Sequence, residues 1–338
     1  MSTLRAAVIG LGVGEQHIAG FAAHPECEVV AICDTDPEKL AAVAARHPGI
    51  TAVADPAAVL ADPHVDVVSV ASYDQYHFEQ ITSAFAHGKH VFAEKPLVLD
   101  ENEARELRAT LRATPALRLS SNVPLRMSPR FEELRTRIAA GDLGEIFHVE
   151  GDYDYGRRHK LTDGWRGREP HYSIVLGGAI HVVDLVLWMT GLRAVEVTSA
   201  LGSGIATRGT AFRHDDFVLA TLRLEGGATM KVTANLGCVS PHFHGVRIYG
   251  TSGTFHNGLP DGVLHLPAAP PAEAVSTAVT SAYPGVHKGA LIHSFVSSIL
   301  TGEPARVTED DVFGTLAVCF AIERALRSGG AEPVLPLG

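Results

Sequence analysis

A chain of 338 residues, 46% apolar and 20% charged, has room for two ordinary domains and enough apolar content to fold, which excludes a disordered protein. Its formal net charge of −10 argues against nucleic acid or an anionic membrane surface as a partner. No run has the apolar length of a membrane-crossing helix; the nearest, HVVDLVLWMTG, is short and carries a His and an Asp.

The chain starts with one Arg and a short apolar run leading into glycines, without the features of a secretory signal. RAAVIGLG is a predicted buried strand, EQHIAGFAAHP a helix and CEVVAICD the next strand. DPEKLAAVAARHPG has an Asp-Pro start, an apolar stripe and a Gly stop, the signs of a capped helix. VDVVSVAS is a strand, DQYHFEQITSAFAHGK a helix ending at Gly88, and HVFAEKPL a strand. ENEARELRATLRA is a charged surface helix and LRLSSNVPL a further strand. Near-continuous apolar strands alternating with helices imply a doubly wound parallel sheet covered on both faces.

The texture changes near residue 123. MSPRFEELRTRIAAGDLGEI is a predicted helix, and GGAIHVVDLVLWMTG another. IFHVEGDYDYG, AVEVTSALG, DFVLATLRLEGGATMKVTANLG and GVRIYGTSGTFHNG alternate like antiparallel strands joined by Gly-containing turns. LPAAPPAEAVSTAV reads as a surface excursion, and two helices around LIHSFVSSILTG and DVFGTLAVCFAIERALRSGG close the chain. The expected class is α/β. One domain, the alternating one, spans 1–122, and a second, mostly antiparallel one spans 123–338, its C-terminal helices able to pack back on the first. Cys27, Cys33, Cys238 and Cys319 form no CxxC pair, so reduced thiols in a cytoplasmic protein are expected.

VIGLGVGEQH follows the first strand. Gly10 suits the tight turn, and Gly12, Val13 and Gly14 bring backbone N–H groups to a pyrophosphate at a helix N-terminus. The usual third small residue falls at Glu15, so the match is GxGxG, and a plain strand-to-helix turn would use similar residues. Asp34 ends the second strand, where a carboxylate binds both ribose hydroxyls of NAD and repels the 2′-phosphate of NADP. Its alternative role is a cap for DPEKL, which Asp36 fits better.

GLGVGEQH, VVAICD, SVASYDQYH, GKHVFAEKPL, NVPLRMSP and GGAIHVVDLVLW, in this order and spacing, resemble the glucose–fructose oxidoreductase/inositol dehydrogenase/MocA family. The resemblance covers nearly the whole chain and is architectural after about residue 190. It implies an N-terminal Rossmann domain, a second α/β domain built on an open sheet, and a homodimer or homotetramer formed through that sheet. Lys95 of the EKP motif is implied to reach the substrate hydroxyl beside the nicotinamide, with Glu94 on the cofactor side and a cis bond to Pro96. An ammonium there stabilises developing alkoxide; the competing reading is a surface ion pair.

His181 and Asp184 lie on one face of a predicted helix. In related dehydrogenases such a histidine is the acid/base, completed by an acid four residues earlier. Here that position is Gly177, which leaves room for a bulkier substrate or water and leaves Asp184, His171, Tyr172 or Tyr155 to carry the relay. A packed histidine with a buried aspartate is the alternative, and no ligand cluster for a metal is evident. Ser72 and His77 match a loop along the cofactor, or else a helix cap and a surface histidine. Asn122 and Arg126 face cofactor or substrate, or form a salt bridge. Trp165 and Arg166 resemble an aromatic–cation pair near the dinucleotide, or pack on each other. Tyr155, His171 and Tyr172 are candidates for the substrate cleft, and His242 and His244 of PHFHG read as solvated surface. The expected activity is NAD-dependent hydride transfer to or from a secondary alcohol of a sugar, nucleotide sugar or cyclitol, with NAD preferred over NADP. Two rivals remain: a glycosidase acting by transient oxidation and elimination, and a non-enzymatic NAD-binding regulator.

Overall fold

The computed structural model describes residues 3–269, 274–284 and 286–338. The chain divides into two compact units: Met1–Pro124 with Val286–Gly314 and Leu337–Gly338, and Leu125–Gly285 with Thr315–Pro336.

In the first unit β1 (Leu4–Ile9), α1 (Glu15–Ala22), β2 (Cys27–Cys33), α2 (Pro37–Arg46), β3 (Thr51–Val53), α3 (Pro56–Ala61), β4 (Val67–Val70), α4 (His77–Ala86), β5 (His90–Ala93), α5 (Glu101–Ala113) and β6 (Leu119–Ser121) follow one another. The starts of α2, α3 and α5 are capped by acids. Asp36 accepts from Glu38 and Lys39 N–H at 3.0 and 3.1 Å, with Pro37 in the first turn. Asp55 and Asp100 do the same for α3 and α5, each cap contributing about 1 kcal/mol.

The strands form one parallel sheet in the order β3-β2-β1-β4-β5-β6. Their registers align the carboxyl ends: Ile9 pairs with Cys33 and Val70, Val70 with Ala93, and Ala93 with Ser121. The next rung continues the ladder, with Gly10 N–H donating to Cys33, Ala71 to Ile9, Glu94 to Val70 and Asn122 to Ala93, all at 2.8–2.9 Å. Every loop that carries a predicted cofactor residue in this unit therefore leaves the sheet along one edge. The strand order reverses between β1 and β4, where open α/β sheets bind ligands.

The second unit holds α6 (Pro129–Ala139), β7 (Ile146–Asp154), α7 (His159–Thr162), a π-helical turn (Val175–Ala179) leading into α8 (Ile180–Thr190), β8 (Ala194–Ser203), β9 (Phe217–Leu224), β10 (Thr229–Asn235), β11 (Phe243–Gly250), β12 (Thr254–His256), β13 (Gly262–Pro267) and β14 (Ala274–Val279). Then come α9 (Ile292–Thr301) in the first unit, α10 (Glu309–Ser328), which begins in the first unit and ends in the second, and β15 (Glu332–Pro333). The nine strands run β14-β13-β12-β11-β7-β10-β9-β8-β15. Among the described residues every pairing is antiparallel except β7 with β10, which is parallel. Alternation along β7 could not disclose that one pairing, because an alternating strand buries the same face in either direction. The expected surface excursion is in part an edge strand: β14 pairs with β13 from Gly262–Val279 to Pro267–Ala274, and residues 270–273 lie outside the described residues.

α8 packs on β7 and against α6. It is buried on most sides, with Ile180, Val182, Val183, Leu185, Val186 and Met189 enclosed along with His181 and Asp184, so two ionisable groups share a core helix. No helix among the described residues is long and apolar enough to cross a membrane.

Candidate active site

In the first unit the glycine turn is built by close approach. Gly10 has φ +88°, and a Cβ there would collide with the Ala71 carbonyl. A Cβ on Gly14 would strike the Gly10 carbonyl and reach the Ala71 Cβ at 2.9 Å, whereas one on Gly12 would have nothing within 4 Å. Gly14 thus does the helix-packing job one place early, and Gly12 faces open space beside half-buried Val13 at the start of α1. Asp34 is 8% exposed. Its Oδ2 accepts from Leu11 N–H and its Oδ1 from Asp36 N–H, both at 2.9 Å, so it ties the glycine turn to the entry of α2. Capping belongs to Asp36. Lys39 Nζ stands 3.3 Å from Asp34 Oδ2, a cation that no sequence pattern had placed there.

The EKP loop rests on a buried polar network. Glu94 Oε1 accepts from Asn122 Nδ2 at 2.7 Å and lies 3.3 Å from His17 Nε2, and His17 Nδ1 meets Ser69 Oγ at 2.8 Å. Burial pushes the Glu94 carboxyl up, but the hydrogen bond and charge of His17, aided by Lys95 and Lys288, outweigh it and hold the group at about 2. The Asn122 Oδ1 is buried without a hydrogen-bond partner among the described residues. Lys95 is half-buried and its bond to Pro96 is cis. His77 is not a surface histidine: it is fully enclosed, with Nδ1 2.8 Å from the Pro96 carbonyl and Nε2 3.1 Å from the Ser72 carbonyl. It braces the cis-proline loop against the Ser72 loop, while Ser72 Oγ donates to Gln80 Oε1 at 2.8 Å. His17 and Ser69 escaped the sequence reading. The available signal was His17 beside Ile18 and four residues before Phe21, on the buried stripe of α1.

In the second unit both Asp184 oxygens accept from Arg126, Oδ1 from Nη2 at 2.7 Å and Oδ2 from Nε at 2.9 Å, and Thr315 Oγ1 donates to Oδ1 at 3.3 Å. The pair is enclosed, Arg126 2% and Asp184 1% exposed. Of the alternatives for these residues, the salt bridge is the arrangement seen. Removing one partner of such a pair leaves a buried charge, a loss of about 3–5 kcal/mol.

His181 stacks on Tyr153, ring centroids 5.5 Å apart and planes at 19°, and meets His244 edge-on at 6.1 Å. Tyr155 continues the stack at 6.0 Å. His244 is not solvated surface: it is 6% exposed, its Nδ1 lies 2.6 Å from the Tyr283 hydroxyl, and its backbone N–H donates to the same oxygen at 2.8 Å. His242, half-buried, lies 4.8 Å from His244 by ring centroids. Alternation along β11 turned His244 inward; tyrosine and histidine neighbours from distant segments gave no local signal. His171 is exposed.

The space at Gly177 is not left for substrate or water. A Cβ there would collide with the Tyr172 hydroxyl, and one on Gly178 would meet Tyr153 Cδ1 at 2.9 Å. Arg166 Nε donates to the Tyr172 hydroxyl at 2.9 Å, and the same guanidinium lies over the Trp165 ring at 4.7 Å. Trp165 and Arg166 therefore pack on each other and on Tyr172. Among the described residues no group of three or more His, Cys, Asp or Glu side chains is disposed to hold a metal.

Residues 4–121 match the family model described as "Oxidoreductase family, NAD-binding Rossmann fold", and residues 131–256 match "GFO/IDH/MocA C-terminal domain". The chain is 26% identical to inositol 2-dehydrogenase 3 of Saccharopolyspora erythraea over 98% of this chain and 96% of that protein. It is 30% identical to D-glucoside 3-dehydrogenase of Escherichia coli K12 over 59% of this chain, spanning 57% of that protein. A solved levoglucosan dehydrogenase, in complex with NADH and L-sorbose, superimposes with a TM-score of 0.86 at 20% identity over 99% of each chain, a likeness of fold.

Proposed function

Since the chain belongs to the GFO/IDH/MocA family of oxidoreductases, whose N-terminal domain is an NAD-binding Rossmann fold, we propose that it moves hydride between NAD and a secondary alcohol carbon of a sugar, sugar derivative or cyclitol. The observation that carries this is the glycine turn: Gly10 and Gly14 admit no side chain, Gly12 opens to space, and Asp34 stands beside them at the edge where the sheet reverses order. Residues of that edge fit the group. The backbone around Gly12 and Val13 would hold the pyrophosphate, Asp34 the adenosine ribose, and Ser72, Glu94 and Asn122 would flank the rest, Asn122 Oδ1 being an acceptor with no donor among the described residues. When bound, NAD supplies a hydride acceptor.

The chain supplies the proton chemistry. Lys95, half-buried beside the ionised Glu94, would hold its ammonium toward the substrate hydroxyl and favour alkoxide. His181 would take the hydroxyl proton. Asp184 and Arg126 then serve as the strut that fixes α8. Tyr155 and His244 are candidates for sugar contacts. The face of the second sheet carrying Glu150, Asp152, Lys231 and Arg247, which pair with one another at 3.0–3.4 Å, would join copies in a dimer or tetramer, read by light scattering.

A panel of myo-inositol, scyllo-inositol, glucosides, levoglucosan and nucleotide sugars with NAD tests the reading. The expected result is steady accumulation of NADH with one of them, and loss of turnover by on the order of 100-fold or more in Lys95→Ala with little change in NAD affinity. Retained turnover in that variant would return Lys95 to a surface charge. Product formation without NADH accumulation would instead favour the transient-oxidation glycosidase.

A further inference from the structure

Two consecutive glycines on the π-helical turn before α8 each receive a tyrosine: the Tyr172 hydroxyl lies against Gly177, and the Tyr153 ring against Gly178. Glycine weakens a helix relative to alanine, and π turns concentrate at functional sites. What the turn admits is not an apolar plug but a phenol, bound at its oxygen by the Arg166 guanidinium. Gly177 precedes His181 by four residues, the spacing at which helix side chains are neighbours, about 5–6 Å apart. A side chain at 177 would be His181's nearest partner on its own helix; with glycine there, the Tyr172 hydroxyl occupies that place.

We propose that Tyr172, its hydroxyl held by Arg166 in the notch at Gly177, is the positioning residue of His181, setting the orientation and tautomer in which that imidazole exchanges its proton. This rests on the reading of His181 as the acid/base. Tyr153 stacks on the imidazole, and its phenol feels the charge of Tyr172. Burial raises the Tyr153 phenol, and Tyr155 and Tyr172 raise it further while Arg166 and Arg157 oppose them. The other ionisable groups gathered around are His244 of β11, His242 just before it, Glu323 of α10, bound by Ser173, and on α8 itself Asp184, bound by Arg126.

NMR titration of the full chain labelled with ¹⁵N-histidine tests this without any substrate, the His181 signal being identified from His181→Asn. In Tyr172→Phe, which keeps the ring and removes the hydroxyl, the His181 ring signals shift in tautomer balance and midpoint, while those of His24 in the first unit do not. Arg166→Leu gives the same displacement and serves if Tyr172→Phe fails to fold. An unmoved His181 signal overturns the proposal, whether or not the protein oxidises an alcohol. With NAD and myo-inositol, Tyr172→Phe is expected to lower kcat about 10-fold, with KM little changed and the pH limb displaced; an unchanged kcat and pH profile in a variant with normal melting also overturns it. A parent protein inactive toward the whole panel counts against the dehydrogenase reading and leaves the NMR result standing.

Discussion

Glu94 is an acid kept ionised inside the protein, and the pH response follows from that. Its carboxyl is lowered from 4.5 to about 2 because His17, Lys95 and Lys288 outweigh its burial. The folded state therefore binds this proton less readily than the unfolded one. The stabilisation is complete above the ordinary carboxylate range and is lost as pH falls from 4.5 through about 2. A shift of that size corresponds to about 3 kcal/mol. Glu94→Gln is expected to flatten the loss of stability over that window in urea titrations, and an unchanged acid limb would contradict the assignment. At Asp34 the nearby Lys39 changes a simple expectation. A carboxylate alone would repel a 2′-phosphate by about 4 kcal/mol at 4 Å and an effective dielectric near 20, before screening. A lysine 3.3 Å away offsets part of it. NAD should still bind more tightly than NADP, Asp34→Ser should narrow the gap, and Lys39→Ala should widen it. Calorimetric affinities that leave the gap unmoved in Lys39→Ala would show the pair to be irrelevant to cofactor choice.

At the scale of elements, the π turn carries a sharp steric prediction. Gly177→Asp drives a side chain into the Tyr172 hydroxyl, and overpacking of this kind costs about 1–3 kcal/mol. Its melting temperature should fall, and less so in a Tyr172→Ala background; strictly additive losses would defeat the idea that the two side chains compete for one space. That competition was hidden in the sequence because glycine shows what is absent at a position and not what fills it. Elsewhere the local signals were strong. Strand–helix alternation through β6, the Asp36 cap and the two closing helices could be read from periodicity and Asp-Pro or Gly punctuation. The pair β3 and α3 was passed over although Asp55-Pro56 repeats the Asp36-Pro37 start, because a three-residue strand has no period to measure. The sequence reading held where backbone position decides it, as at the Gly10 turn. It failed where burial decides it, as at His77 and His244, whose enclosure depends on partners brought by distant segments.

For the molecule as a whole, the chain enters the first unit, leaves it at residue 124, returns at 286, leaves again at 314 and ends there from 337. The returning stretch is structural for that unit. Phe295 of α9 meets Phe92 of β5 at 5.7 Å, a Cβ on Gly20 of α1 would lie 2.7 Å from the Gly289 carbonyl, and Ser120 Oγ donates to the Val307 carbonyl at 2.9 Å. A fragment 1–124 would expose Phe92 and the sheet face that α9 covers, and is expected to aggregate or bind a hydrophobic dye, whereas a fusion of 1–124 to 286–314 through a flexible linker should be more soluble. Equal solubility of the two would show α9 to be dispensable. The genetic consequence is that no single crossover can exchange the nucleotide-binding half of this gene intact. A recombinant joined near codon 124 inherits its α9 from the other parent, so a new second half is tolerated only when the donor's α9 matches the acceptor's β5 and α1. Replacement of the internal stretch 125–285 keeps the first unit whole, but the second unit is completed by 315–336, so the donor's stretch must also match the acceptor's Thr315, Glu323 and β15.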